Sequence, residues 1–375
     1  MPLRVKAAAA APALLSLTLL TVPAAAQVRI GLAAPLTGPD AGFGGGMRAG
    51  VEQAVADINR AGGIVGQKIQ LVVQDDAGDP KQAAEAARRL AAAGVRLVVG
   101  PLDSGATAAA LPIFEEAGLL AVTPGATWAS LTARGAGRLF RLAGNDAQQG
   151  AVAGAWLAET FQGRPVAILN DKTGFGRSLA EDAARVLRSR GGREALFEGI
   201  NRGDKDFPAL IGRMRAAGVE AVYFGGLAPE AAMLVRALRE AGLQAPLVAS
   251  DGILDKDFAQ LAGPGAEGTL MTLAPDPPRL PETKGAKGAR TPEDEMFAAP
   301  AYAAIEVIRQ GIEGARSTDP AKVAAFLHAG RPLRTVVGEV AFDGKGDLTR
   351  SPYRLHVWHR TPDGRIDYAG NAVPR

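Results

Sequence analysis

The stretch VRLVVGPLDSGATAAALPIFEEAG, Val95 to Gly118, decides how the rest of the chain reads. VRLVVG (95–100) is an apolar strand run, Gly100-Pro101 breaks it, and Ser104 to about residue 117 reads as a helix ending at Gly118. A strand that runs through a short loop into a helix is the unit of a parallel α/β sheet, and Ser104 stands where such sheets hold ligands. Three readings of Ser104 compete: a nucleophile, part of a phosphate loop, or part of another anion grip.

The same alternation extends both ways. VRIGLAAPL (28–36), KIQLVVQDD (68–76) and LLAVTP (119–124) read as strands, with helices at 46–63 and 80–94 between them. After RLFRLAG (138–144) the pattern restarts. Helices near 146–160, 177–189, 206–217 and 229–241 alternate with PVAILND (165–171), EALFEGI (194–200), AVYFGG (221–226), PLVASDG (246–252) and TLMTLAP (269–275). Near-continuous Val/Ile/Leu strands imply parallel sheets covered on both faces. Two series imply an α/β protein of two doubly wound parallel-sheet lobes. PDPPRLPETKGAKGART (275–291) reads as an exposed linker, followed by helices at about 293–314 and 320–328 and the strand-like runs VGEVAF, YRLHVWHR and RIDYAG. Those last elements must dock on lobes already begun, so the chain crosses between lobes several times, which favours a hinge and a cleft. The expected division is 27–145 plus 275–350 for one lobe and 146–274 plus 351–375 for the other.

The 375 residues, 47% hydrophobic and 22% charged, suffice for two globular units. Residues 1–26 read as a secretory signal peptide, with the basic start MPLRVK, the apolar run APALLSLTLLTV and small residues to Ala26. Removing them takes away Arg4 and Lys6 and no acid, leaving 40 basic against 39 acidic residues, a net +1. That balance, without a basic block interleaved with aromatics, argues against a nucleic-acid partner. With 0 cysteines the chain has no disulfide, thiolate metal site or Cys nucleophile.

Catalytic readings fare poorly. The glycine-rich GPDAGFGGGMRAG after the first strand fits no G-x-G-x-x-G frame, and no G-x-x-x-x-G-K-[ST] occurs, so no nucleotide cradle is expected; it reads as a flexible turn that lets backbone approach a neighbour or ligand. Ser104 lacks the Gly two positions earlier that a nucleophile elbow needs. His328 is near a helix end, and His356 and His359, read on one strand, point to opposite faces. No metal or cofactor is expected. Anion recognition survives: Ser104 opens a helix after one strand and Thr127 follows the next, so two hydroxyls and several amides can together hold one carboxylate. Taken singly, Ser104 reads as an N-cap and Thr127 as a loop hydroxyl.

The mature chain resembles the periplasmic substrate-binding proteins of ABC importers, of the leucine/isoleucine/valine-binding type. The resemblance rests on IGLAAPLTGPDAGFG, GVEQAVADINRAGGIVGQKIQLVVQDDAGDPKQA, GPLDSGAT, TPGAT, LTARG, FRLAGNDAQQG, DKTGFG, GDKDF, VYFGGLAPE and FDGKGDL, and covers nearly all of 28–360. It implies a type I periplasmic-binding fold, a Venus flytrap that performs no chemistry. Leu102, Ser104, Gly125 and Thr127 match positions that hold an amino-acid α-carboxylate. Asp251 matches the acid that pairs with the α-ammonium, and Asp146 is near the crossing and is placed to assist. Phe43, Phe175, Leu227 and Phe297 match the walls of the side-chain pocket.

The sequence departs from the pattern. Asp251 is one methylene shorter than the usual glutamate, and Phe43, Phe175 and Leu227 stand where tyrosines are common, which makes the pocket drier. Gly78 and Asp103 occupy positions that some relatives bridge with a disulfide. Asp103 puts a charge beside the carboxylate grip and is expected to turn outward. The resemblance implies a monomeric periplasmic receptor that delivers a hydrophobic, branched-chain amino acid to an inner-membrane ABC permease. A sensory ligand-binding subunit, or a receptor for amides, urea or aromatic acids, is the alternative. An acid left buried without an ammonium is costly, which favours a zwitterion.

Overall fold

The structure is a computed structural model that describes residues 27–134, 137–254, 256–281 and 292–368. The expected signal peptide lies outside the described residues, and none of the described helices is long and apolar enough to cross a membrane.

Val28, Ile30 and Leu32 are buried on one face of β1 (Gln27–Ala34), while Ala33 packs into the cluster on the other. Around β1 lie α1 (Ala41–Arg60), β2 (Lys68–Asp75), α2 (Pro80–Ala92), β3 (Leu97–Val99), α3 (Ser104–Ala117), β4 (Leu120–Thr123), α4 (Ser130–Arg134) and β5 (Leu139–Arg141). The strands form a five-stranded sheet in the order β2-β1-β3-β4-β5, parallel throughout. The second series is α5 (Asp146–Thr160), β6 (Val166–Asn170), α6 (Gly174–Ser189), β7 (Glu194–Gly199), α7 (Pro208–Ala216), β8 (Ala221–Gly225), α8 (Ala228–Glu240), β9 (Leu247–Ala249), α9 (Lys256–Ala262) and β10 (Leu270–Leu273). The chain continues through α10 (Pro292–Ala315), α11 (Pro320–Leu327), a hairpin of β11 (Leu333–Thr335) and β12 (Gly338–Val340), and β13 (Arg354–Val357). The second sheet runs β13-β10-β9-β8-β6-β7, parallel except for β13, which joins β10 antiparallel at one edge. These are two doubly wound lobes with a single antiparallel strand added to one.

Three sequence expectations change. GPDAGFGGGMRAG is not a turn: α1 starts at Ala41 and runs through its glycines. A Cβ at Gly44 would lie 1.9 Å from the Pro35 carbonyl oxygen, and one at Gly50 would lie 2.0 Å from that of Ala298, so glycine here lets the helix press onto backbone. The 275–291 segment is not wholly exposed, because Leu280 is buried against Ala298 and Ala299 of α10; residues 282–291 lie outside the described residues. His356 and His359 fall on successive strands, β13 and β14 (His359–Arg360), the latter pairing with β15 (Ile366–Asp367).

The chain passes between the sheets at 142–145, after β10, and between β12 and β13. α10 and α11 return to the first lobe, where Ala301, Ile305, Ile308 and Leu327 join the cluster of Ile30, Leu32 and Val51. A buried ion pair binds the first and third crossings. Arg141, 0% exposed, donates from Nε to Asp347 Oδ1 at 2.6 Å, and the Asn145 side-chain amide donates to Asp347 Oδ2 at 2.8 Å. The rest of the guanidinium donates to the carbonyls of Ala126 and Trp128, both at 3.0 Å, and to Thr132 Oγ1 at 2.9 Å. Gln148, one turn into α5, donates to the Leu348 carbonyl at 2.8 Å.

Removing one partner of a desolvated pair strands the other. Arg141→Ala is therefore expected to cost about 3–5 kcal/mol of unfolding free energy, read as a lower urea midpoint. Arg236→Ala, which breaks the exposed Arg236–Glu240 pair, should change it by no more than about 0.5 kcal/mol.

Candidate functional site

The loops after β1, β3, β4, β6, β8 and β9 all leave the carboxyl ends of parallel strands, where doubly wound sheets place their ligands. Ser104 is not the N-cap of α3. Asp103 is: its Oδ1 accepts the Ala106 amide at 2.8 Å, and the residue is exposed. Asp103 thus turns outward, as expected, and has a structural task. Ser104, the first residue of the helix and 7% exposed, instead accepts the amides of Thr127 and Trp128 at 3.0 and 3.2 Å. A hydroxyl has two acceptor sites and one proton. With both acceptor sites occupied, Ser104 has only its proton to offer a further partner, and that partner must be an acceptor.

The loop that carries Thr127 is held at several points. Thr123 Oγ1 donates to the Pro101 carbonyl at 2.7 Å and accepts the amides of Gly125 and Ala126 at 3.3 and 3.1 Å. Arg141 holds the carbonyls of Ala126 and Trp128. The Thr127 carbonyl accepts the Asp146 amide at 2.9 Å, which ties the loop to the first turn of α5.

The apolar residues fall into two groups, one on each lobe. Phe43, in the first turn of α1, meets Phe297 of α10 edge to face at 5.6 Å between centroids. A Cβ at Gly125 would stand 2.4 Å from Leu102 Cδ1 and 3.0 Å from Phe297 Cε1, which joins Leu102, Gly125, Phe43 and Phe297 in one patch. On the other lobe, Phe175 opens α6 with its Cε1 3.1 Å from the Cβ position of Gly252, and the Gly226 carbonyl oxygen is 2.3 Å from the same point. Leu227 follows Gly226 as the N-cap of α8, with no side-chain capping bond, and remains half-buried. Phe175 and the Gly226 carbonyl, which directly precedes Leu227, therefore meet beside the Asp251 turn.

Asp251 begins a single 3-10 turn, Asp251–Ile253, capped by Ser250, whose Oγ accepts the Gly252 amide at 3.1 Å. Burial pushes its carboxyl up to about 6, partly offset by the Gln149 side chain and by backbone amides. Gln149, one turn after Asp146 on α5, also donates to the Thr272 carbonyl at 3.0 Å, and its Oε1 has no partner. Asp146 is 0% exposed and neither carboxyl oxygen accepts a well-formed hydrogen bond. Burial, helped by the negative charges of Asp251 and Asp182, pushes Asp146 up to about 7 against the opposing effects of the Thr127 hydroxyl and Arg141. The Tyr223 hydroxyl is also buried without a partner and held up by burial and the same acids, whereas Tyr353 donates to the Gly144 carbonyl at 3.1 Å.

One lobe thus presents neutral donors beside an apolar patch, and the other presents acids beside a second apolar patch. Sequence reading missed Thr123, Arg141, Gln149 and Tyr223. A signal existed for Arg141 alone, as a charge inside the apolar run RLFRL. His328 serves the fold: its ring packs on Phe140 at 4.6 Å and its Nδ1 lies 2.9 Å from the Asp343 carbonyl.

Two doubly wound lobes with polar loops gathered at their strand ends define a two-lobed ligand receptor. The family model described as periplasmic binding protein matches residues 27–362. The Leu/Ile/Val-binding protein homolog 1 of Brucella suis is 39% identical over 92% of this chain and 93% of its own. A leucine-, isoleucine-, valine-, threonine- and alanine-binding protein of Pseudomonas aeruginosa is 40% identical over 90% of this chain and 91% of its own. Among solved structures, the branched-chain amino acid transporter substrate-binding protein LivJ of Streptococcus pneumoniae, in complex with isoleucine, superposes with a TM-score of 0.66. It is 25% identical, covering 93% of this chain and 99% of that one. The chain belongs to the periplasmic binding protein family.

The buried acids set a sign for stability against pH. Asp146 holds its proton more tightly folded than unfolded, so its contribution is full below about pH 4, the ordinary aspartate range, and is lost as pH rises through about 7. Asp146→Asn removes that loss. At pH 8 the variant is expected to be about 2–4 kcal/mol more stable than the parent, a gain that should vanish by about pH 4 in thermal melts.

Proposed function

We propose that the protein is an extracytoplasmic solute receptor that binds a hydrophobic amino acid, a branched-chain one foremost, between its lobes and delivers it to an ABC permease. The observation that carries this reading is the division of charge. Ser104, with only a proton to donate, and the pinned Thr127 loop stand on one lobe, and the half-buried Asp251 stands on the other. A zwitterion satisfies both at once. Its carboxylate takes the Ser104 hydroxyl, the Thr127 hydroxyl and the amides near the start of α3, beside Gly125, and its ammonium takes Asp251, with Asp146 behind. The side chain then lies among Leu102, Phe43, Phe297, Phe175 and Leu227. The names of the Brucella, Pseudomonas and Streptococcus relatives support the same ligand class.

On this reading residues 1–26 are an export signal, and the lobes divide at 27–145 plus 275–350 and 146–274 plus 351–375. Ligand binds one lobe first and shifts the population toward a closed form that both lobes present to the permease.

Calorimetry on residues 27–375 tests it. L-leucine and L-valine should bind, and Asp251→Ala should abolish that binding. Binding of an amide or of benzoate, with no amino acid bound, would overturn the zwitterion reading. Because Asp251 must ionise to meet the ammonium and titrates at about 6, affinity for L-leucine should fall about tenfold from pH 8 to pH 5. Unchanged affinity over that range would remove Asp251 from the ammonium role.

A further inference from the structure

Trp128 is the residue after Thr127, so it leaves the carboxylate grip on the first lobe. Its backbone is fixed at both ends: the amide donates to Ser104 Oγ at 3.2 Å and the carbonyl accepts from Arg141 at 3.0 Å. The side chain is half-buried and packs only in part on its own lobe, beside Ala126 and Leu131. The far edge of its indole reaches the other lobe. Trp128 Cζ2 is 3.5 Å from the point where a side chain at Gly174 would begin. Gly174 is the first residue of α6, capped by Thr173, and its neighbour Phe175 stands against Gly252 and the Asp251 turn. The indole therefore reaches from the residue beside Thr127 on one lobe to the residue beside Phe175 on the other.

We infer that Trp128 is a further binding residue of this receptor: it closes the cleft by seating its indole on the first turn of α6 at Gly174, and so holds the ligand in. The inference rests on the proposed amino-acid reading for the identity of what is enclosed, and on the geometry alone for the contact. Gly174 matters because it is short. A Cβ there meets the indole edge at an ordinary contact distance, so a bulky side chain directed at the ring competes with it for the same space. With its backbone anchored, the indole has only its two side-chain torsions to fix, so the contact is expected to slow opening more than it speeds entry.

Two experiments separate the contact from the ligand. The chain has 0 cysteines, so a Trp128→Cys/Gly174→Cys variant carries one reactive pair. A short bis-maleimide should join it within the chain without any added ligand, and neither single variant should cross-link. Failure to cross-link overturns the inference whatever the ligand is. In stopped-flow and calorimetric measurements with L-leucine, Trp128→Ala should raise koff and Kd about tenfold with kon unchanged, and Trp128→Phe less. Gly174→Leu should weaken binding to a similar extent, and adding Trp128→Ala to it should cost little more, because both remove one contact. Independent, additive losses, or an unchanged koff in Trp128→Ala, overturn it. Cross-linking of the double-cysteine variant, together with a wild-type protein that ignores L-leucine, refutes the amino-acid reading and leaves the contact standing.

Discussion

The buried pair of Arg141 and Asp347 is the interaction on which the arrangement of the site depends. A buried ion pair adds little net stability, because the desolvation of both charges offsets most of their attraction. Its effect here is geometric. A guanidinium is a planar fork of donors, and Arg141 uses that fork to fix four acceptors at once: Asp347, two carbonyls of the loop bearing Thr127, and Thr132. Asp347 passes the constraint to Asn145, whose own oxygen accepts the Gln148 amide and caps α5. The ligand loop, the first crossing and the third crossing are thereby parts of one polar knot. On the proposed reading, a lobe movement about those crossings pivots on the group that shapes the carboxylate grip.

Around this fixed point the site holds groups that the fold alone would not choose. Asp146, Gln149 and Tyr223 keep buried polar atoms without partners, each a cost to the folded state. Leu227 caps α8 without a side-chain acceptor, where Ser, Thr, Asp or Asn would be worth about 1 kcal/mol. Such concessions concentrate at functional sites, where stability is given up for binding. Burial holds the carboxyls of Asp146 and Asp251 above their ordinary range, which on the proposed reading makes them the groups that gain most from an arriving ammonium.

Much of this was legible in the sequence, and the limits have physical causes. The 104–117 and 146–160 helices coincide with their predicted spans; Gly118 ends the first in the left-handed region, and Asn145 with Gln148 forms a capping box at the start of the second. The pairing of Ser104 with Thr127 followed from two successive strand ends, and the structure joins them through the Ser104 oxygen. Reading Ser104 as a cap failed by one residue, since Asp and Ser are both good N-caps and only coordinates separate them. The start of α1 is hidden because Gly44 to Gly46 signal a turn locally, while Gly44 is there for close contact with Pro35. Arg141 to Asp347 spans 206 positions, and Trp128 to Gly174 joins two lobes. No local pattern encodes contacts of that range.

The split of the site between lobes has an energetic logic. On the amino-acid reading proposed above, the hydroxyls of Ser104 and Thr127 are neutral and stand on a loop already pinned in place, so an anion meets them with little reorganisation. The acids of the other lobe are costly to ionise in a closed, dry cleft and become favourable only when a cation lies against them. A ligand with one charge satisfies one lobe and leaves the other with unpaired groups, so it gains little from closure. A zwitterion gains from both, and the difference between its affinities for the closed and open forms is what can shift the population. On that reading, selection for ligand class is set by the closing step, and the shape of the apolar walls is left to choose among the ligands that close it.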